Sequence, residues 1–191
     1  GSTGAELVKT VDGHFFVRKR GNSKGHILEE YQALQAYRVL GVKVPEAVIY
    51  DERSANPTML TELIDGGSLR SYLSTAEPTK QKTVLNRIAK GFVVDAVLGN
   101  WDVAGLELDN ILVTSDGEPI RVDVGGSLRY RAQGAMKSLA AFGSNVDEIK
   151  SLRDAKTNRT AAKVFGSVSD ADIKSQILDV HAKKDKLHAV L

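Results

Sequence analysis

Residues 109–126 read DNILVTSDGEPIRVDVGG, and this stretch constrains the fold more than any other in the chain. Two apolar-rich runs flank Asp116-Gly117, a strong hairpin signal. A two-residue turn there sets Ser115 opposite Glu118, Val113 opposite Ile120 and Asn110 opposite Asp123. Pro119 then falls at a position outside the hydrogen-bonded ladder, where its missing N–H is harmless. Alternation across the strands predicts a core face of Ile111, Val113, Ile120 and Val122. Asn110, Leu112, Arg121 and Asp123 share the other face. An amide oxygen and a carboxylate held side by side, on Cα atoms about 4.5 Å apart, are hard oxygen ligands. Magnesium takes such ligands together with water and phosphate oxygens.

The segment before this hairpin, GNWDVAGLELDN (99–110), joins a buried-looking helix to its first strand and carries Asp102, Glu107 and Asp109. Further upstream, 5–11 and 14–20 read as strands around Asp12-Gly13. Alternation there puts Lys19 on one face with Val17. Ile27, Leu28, Tyr31, Leu34, Tyr37 and Leu40 recur with helical period over 25–40, and Gly41 ends that helix. Strands are expected at 46–50 and 58–64, then a glycine break in IDGGSL (64–69), a short helix from Ser68 and a longer one from Thr79 to Leu98. Beyond residue 130 the pattern is helical, with loops at Gly143-Ser144-Asn145 and Gly166-Ser167, and Ser169 caps an amphipathic final helix. Trp101 is expected to be a core anchor that sets its loop.

The pattern predicts an α+β, bilobal chain. Residues 1–64 form a small β-rich N-lobe with one helix, and 65–191 form a helical C-lobe. A length of 191 residues is enough for two such lobes around a cleft. The net charge of +2 is too small to argue for nucleic acid or an anionic membrane as partner, and neither nucleic acid nor a membrane span is expected. No apolar run is long enough to span a bilayer. With no cysteine and four scattered histidines, zinc is not expected, and the cysteine count suits the cytosol. Gly1-Ser2 is compatible with a cloning scar ahead of a native Thr3.

In these features the sequence resembles a protein kinase-like fold. Asn110 and the Asp-hydrophobic-Gly run Asp123-Val124-Gly125 stand thirteen residues apart, the separation of the family's two metal-binding positions. TELIDGGSL (61–69) is similar to the hinge between kinase lobes. The resemblance implies ATP and Mg²⁺ as cofactors, with Asn110 and Asp123 on the metal. It implies Lys19 on the α- and β-phosphates, ion-paired to Glu30 or its neighbour Glu29. Glu62 and Ile64 would hold the adenine edge through their backbone, with Leu112 beneath the purine. GSTG (Gly1, Ser2, Thr3, Gly4) would cover the phosphates through backbone N–H groups. Asp102 takes the place of the catalytic aspartate, with Asp109 as a rival.

The chain departs from the common pattern. Asp102 and Asn110 are eight apart, where ordinary protein kinases have five. Trp101 replaces the usual arginine, and nothing resembles Ala-Pro-Glu downstream. These departures resemble the HipA-type and phosphatidylinositol-kinase-like branches. They imply a minimal, bacterial or phage effector-type kinase acting on a protein hydroxyl, in its own cytosol or that of a host cell. The same fold also accommodates AMP transfer, a small-molecule or lipid acceptor, or a nucleotide-binding pseudokinase.

Overall fold

A computed structural model describes residues 4–191. Gly1, Ser2 and Thr3, read as part of a phosphate-covering loop, lie outside the described residues.

Both Asp-Gly turns close three-residue loops rather than two-residue ones. In each, a threonine precedes the loop by one residue. The hydroxyls of Thr10 and Thr114 donate to Asp12 and Asp116 and accept N–H bonds from His14 and Glu118 at 3.1 Å. Gly13 and Gly117 close the loops at φ 93° and 76°, a conformation glycine adopts without a Cβ penalty. The result is a type I turn followed by a glycine bulge. Strand β1 (Glu6–Lys9) accordingly pairs Lys9 with Phe15 of β2 (Phe15–Lys19).

The same loop shifts the second hairpin by one residue from the register expected of it. Leu112 of β6 (Ile111–Thr114) faces Ile120 of β7 (Pro119–Arg121), and Val113 faces Pro119. Asn110 does not face Asp123; its carbonyl accepts the N–H of Val122 at 3.0 Å. A one-residue slip turns every side chain of a strand over. Ile120 and Val122 therefore lie half-buried beside Leu112, while Arg121 joins Ile111 and Val113 in the core.

Three further strands complete two antiparallel sheets. β3 (Ala47–Tyr50) and β4 (Thr58–Glu62) extend the first, in the order β1-β2-β4-β3. Gly66–Ser68, expected as a glycine break, is instead strand β5, which pairs with β6. Only glycine fits at 66, since a Cβ there would sit 2.9 Å from the Val113 carbonyl oxygen.

Helix α1 (Lys24–Leu40) starts where the Ser23 hydroxyl accepts the His26 N–H and ends at Gly41, φ 87°. Ser68 caps α2 (Leu69–Thr75) in the same way. The long helix expected over 79–98 is two, α3 (Pro78–Ala89) and α4 (Phe92–Val97), broken at Lys90-Gly91. Arg121 explains the break. Its Nη2 donates to the Ile88 carbonyl at the end of α3, and a Cβ on Gly91 would meet that nitrogen at 2.9 Å. The region after 130 is less helical than its sequence pattern. Turns and a 3₁₀ segment (Leu139–Phe142) precede α5 (Glu148–Ser151), α6 (Arg159–Phe165), α7 (Asp170–Ala182) and α8 (Lys184–His188). Ser169 and Asp172 form a capping box at α7.

The architecture is α+β and bilobal, with the four-stranded sheet and α1 on one side of a cleft and the helices on the other. One core gathers Leu69, Ile88, Phe92, Ile111, Leu152 and Phe165. A second surrounds α1 and draws on both sides of the chain: Ile27, Leu34, Tyr37 and Met59 pack with Val94, Leu98 and Val124. Between the cores lies a buried polar chain. Arg121 Nη2 donates to Asp95 Oδ2 (2.7 Å), the Tyr37 hydroxyl donates to Asp95 Oδ1 (2.9 Å), and Asn100 Nδ2 donates to the Tyr37 hydroxyl (3.0 Å). Burial raises the Asp95 pKa, an effect Arg121 partly offsets. Among the described residues no helix is long and apolar enough to cross a membrane.

Candidate active site

Lys19 closes β2 and is 5% exposed. Its Nζ donates to Glu30 Oε1 at 2.7 Å and lies 3.7 Å from Asp123 Oδ1. Burial works against the ammonium, yet the two carboxylates outweigh it and the Lys19 pKa is raised. Glu30 holds this place because of α1's rotation: its neighbour Glu29 points instead to Arg129, accepting that residue's backbone N–H at 2.9 Å and pairing with its guanidinium. Among the described residues the second Glu30 oxygen, Oε2, has no hydrogen-bond partner, and it is fully buried. It lies against Gly125, where a Cβ would meet Glu30 Oε2 at 3.2 Å and His26 Nε2 at 3.1 Å. His26 Nε2 is 2.9 Å from the Gly125 carbonyl oxygen. A side chain after Asp123-Val124 would therefore have to push the two α1 side chains aside by a few tenths of an ångström.

Asn110 and Asp102 meet across the entrance to β6. Asn110 Nδ2 donates to the Asp102 carbonyl at 2.8 Å and approaches Asp102 Oδ2 at 3.4 Å. This fixes the amide's orientation and leaves its oxygen free. Burial raises the Asp102 pKa, and the negative charge of Asp123 raises it further. Asp109, the rival for the catalytic place, is exposed and accepts the Glu107 N–H within its own loop at 3.4 Å. The longer loop between Asp102 and Asn110 is held tightly. Gly105 and Leu108 take positive φ (72° and 58°), while Val103, Ala104 and Leu108 are buried in the core. Leu106 and Glu107 are left outside as its tip.

The remaining sequence-predicted residues lie as follows. Glu62 ends β4, its N–H bonded to the Glu46 carbonyl at 2.9 Å, and Ile64 follows it outside the strand. Leu112 is half-buried on the face it shares with Ile120 and Val122. Gly4 takes φ 70° with open space around it. Trp101 corrects its expected role: it is 45% exposed, and its backbone carbonyl, rather than its ring, is tied in, by Asn158 Nδ2 at 2.7 Å.

Two participants had no usable sequence signal. Lys137 lies far along the chain, yet its Nζ donates to the carbonyls of Gly99, Gly126 and Leu128 at 2.7–2.8 Å. It ties the start of the Asp102 loop to the segment after Gly125, and burial lowers its pKa to about 8. His26 is one histidine among four, and only the fold brings it to Gly125. A cavity of about 440 Å³, lined among others by Lys43, Lys90 and Lys183, contains none of these residues.

Among the described residues no group of three or more His, Cys, Asp or Glu side chains is placed to hold a metal. The Asp123 carboxylate and the Asn110 amide oxygen are hard donors, the type magnesium takes together with water and phosphate oxygens, although the register does not set the two residues face to face.

No family model and no curated protein matches the chain. Among solved structures it is similar to the crystal structure of CtkA, a proinflammatory kinase of Helicobacter pylori. The two are 16% identical, with a TM-score of 0.57, over 97% of this chain and 78% of that one. The fold is kinase-like.

Proposed function

We propose that this kinase-like chain is an atypical phosphotransferase that moves the γ-phosphoryl group of ATP to a hydroxyl, on a protein acceptor. The observation that carries the reading is the buried ammonium of Lys19, held between Glu30 and Asp123. In that position it serves the α- and β-phosphates, with Glu30 fixing its direction. Glu62 and Ile64 would present backbone groups to the adenine, and Leu112, with Ile120 and Val122 beside it, would lie under the ring. Gly4 would approach the phosphates through its backbone. We place the boundary between the lobes at 64–65. An enzyme that uses ATP works where ATP is plentiful, in its own cytosol or that of a host.

Asp123 and the Asn110 oxygen would hold Mg²⁺, which neutralises charge developing on the phosphates. Asp102 accepts the proton of the acceptor hydroxyl as its oxygen bonds to the γ-phosphorus. The bond from that phosphorus to the bridging oxygen breaks, and ADP leaves with the electron pair. The raised Asp102 pKa brings this base closer to neutral operating pH. The eight-residue separation from Asp102 to Asn110 favours the HipA-type or phosphatidylinositol-kinase-like branches over ordinary protein kinases.

Incubation with Mg-ATP and candidate acceptors, read by mass spectrometry, tests the reading. The expected product carries one phosphoryl increment, and an adenylyl increment would instead mark an AMP transferase. Asp102→Asn should slow transfer by roughly 10²–10⁴-fold while ATP still shifts the melting temperature. Undiminished transfer by Asp123→Asn would overturn the metal assignment.

A further inference from the structure

Asp102 also forms the wall of a second space. A cavity of about 240 Å³ is lined by Asp102, Trp101, Leu106, Arg131 and Lys137, among others. Trp101 is 45% exposed, and Leu106, at the tip of the enlarged loop, is 85% exposed. Lys137 on the cavity wall, and Arg129 two residues before Arg131 in the chain, are already engaged. Lys137 has its three N–H groups on carbonyls, and Arg129 pairs with Glu29. Among the described residues the Arg131 guanidinium has no hydrogen-bond or ion-pair partner. The cavity therefore offers an indole face, a leucine and an unengaged cation around a carboxylate.

We infer that this cavity is the acceptor subsite, and that it takes a protein segment whose hydroxyl is flanked by a bulky apolar side chain and an acidic one. The inference rests on the phosphotransferase reading above. A hydroxyl must come within hydrogen-bond reach of Asp102 to be deprotonated, so whatever carries it lies over Trp101 and Leu106. Burying an apolar neighbour there is favourable at both surfaces. A small polar alcohol such as a sugar would leave its other hydroxyls against those side chains without partners. Arg131 supplies the charge complement for an acidic residue. The longer loop thereby gains a purpose, because Gly105 and Leu108 turn the backbone so that Leu106 stands at the rim instead of in the core.

The test is a set of serine peptides with Mg-ATP, varied only in the flanking residues and read as rate ratios within each protein. The wild-type chain should prefer an apolar flank over glycine by roughly tenfold or more, and an acidic flank over a basic one. Leu106→Ser should collapse the first ratio and leave the second. Arg131→Glu should reverse the second and leave the first. Leu106 and Arg131 are both exposed, so neither change threatens folding. Ratios that both variants leave unmoved, with transfer continuing, overturn this subsite and spare the phosphotransferase. Labelling of small alcohols but of no peptide overturns the protein acceptor. No transfer to anything removes the enzyme reading itself.

Discussion

The Asp102 carboxyl shows how much one residue's chemistry depends on its neighbours. Burial and Asp123 raise its pKa, and the Asn110 amide lowers it. Followed by ¹³C NMR, its titration midpoint should fall in Asp123→Asn and rise in Asn110→Ala. Its stability effect has a definite sign. A carboxyl whose folded pKa exceeds its unfolded value, about 3.9, binds its proton more tightly when folded, so ionising it costs stability above the folded pKa. Asp102→Asn should melt higher than wild type at neutral pH, and the gap should close as pH falls toward the unfolded value. Lys19 runs the other way: its raised pKa contributes stability fully below about 10.4, and that contribution is lost as pH rises through the higher folded value. Strand alternation was enough to put Lys19 on its face, and the helical stripe to put Glu30 at its edge, since both are local properties. The environment of Trp101 was not legible, because a lone aromatic in a polar loop carries no periodicity to say which way it points.

At the scale of elements, the hairpin around Asp116-Gly117 was legible as a hairpin and not in its register. The missing signal was Thr114, whose hydroxyl, paired to Asp116, selects the three-residue loop; Thr10 and Asp12 repeat the device. The slip carries Arg121 inward to Asp95, and that pair then breaks the helix expected over 79–98. Contacts between distant segments set these features, and helical periodicity does not report them. Arg121→Met should destabilise the fold by about 3–5 kcal/mol, because it strands the buried Asp95. Adding Asp95→Asn should recover part of the loss, a non-additivity that denaturant titration of the three variants would measure. Gly117→Ala, forced to a positive φ, should cost about 1–2 kcal/mol.

At the scale of the molecule, the two cores do not divide as the two lobes foreseen from the sequence do, because the second draws on both. Helix α1 belongs to the sheet by sequence, yet it packs on Val94, Leu98 and Val124, and its far end meets Leu187 and Val190 of the C-terminal segment. Unfolding should therefore be one transition, with Trp101 fluorescence and far-ultraviolet circular dichroism changing together. Amides within Lys24–Leu40 should exchange slowly, near the global rate, and those of β1 much faster. Glu29 to Arg129, His26 to the Gly125 carbonyl and the α8 contacts hold α1 along its whole length. Swinging α1 outward to unpair Lys19 from Glu30 would have to break all of these contacts together, so the helix's seating and the lysine's pairing stand or fall as one.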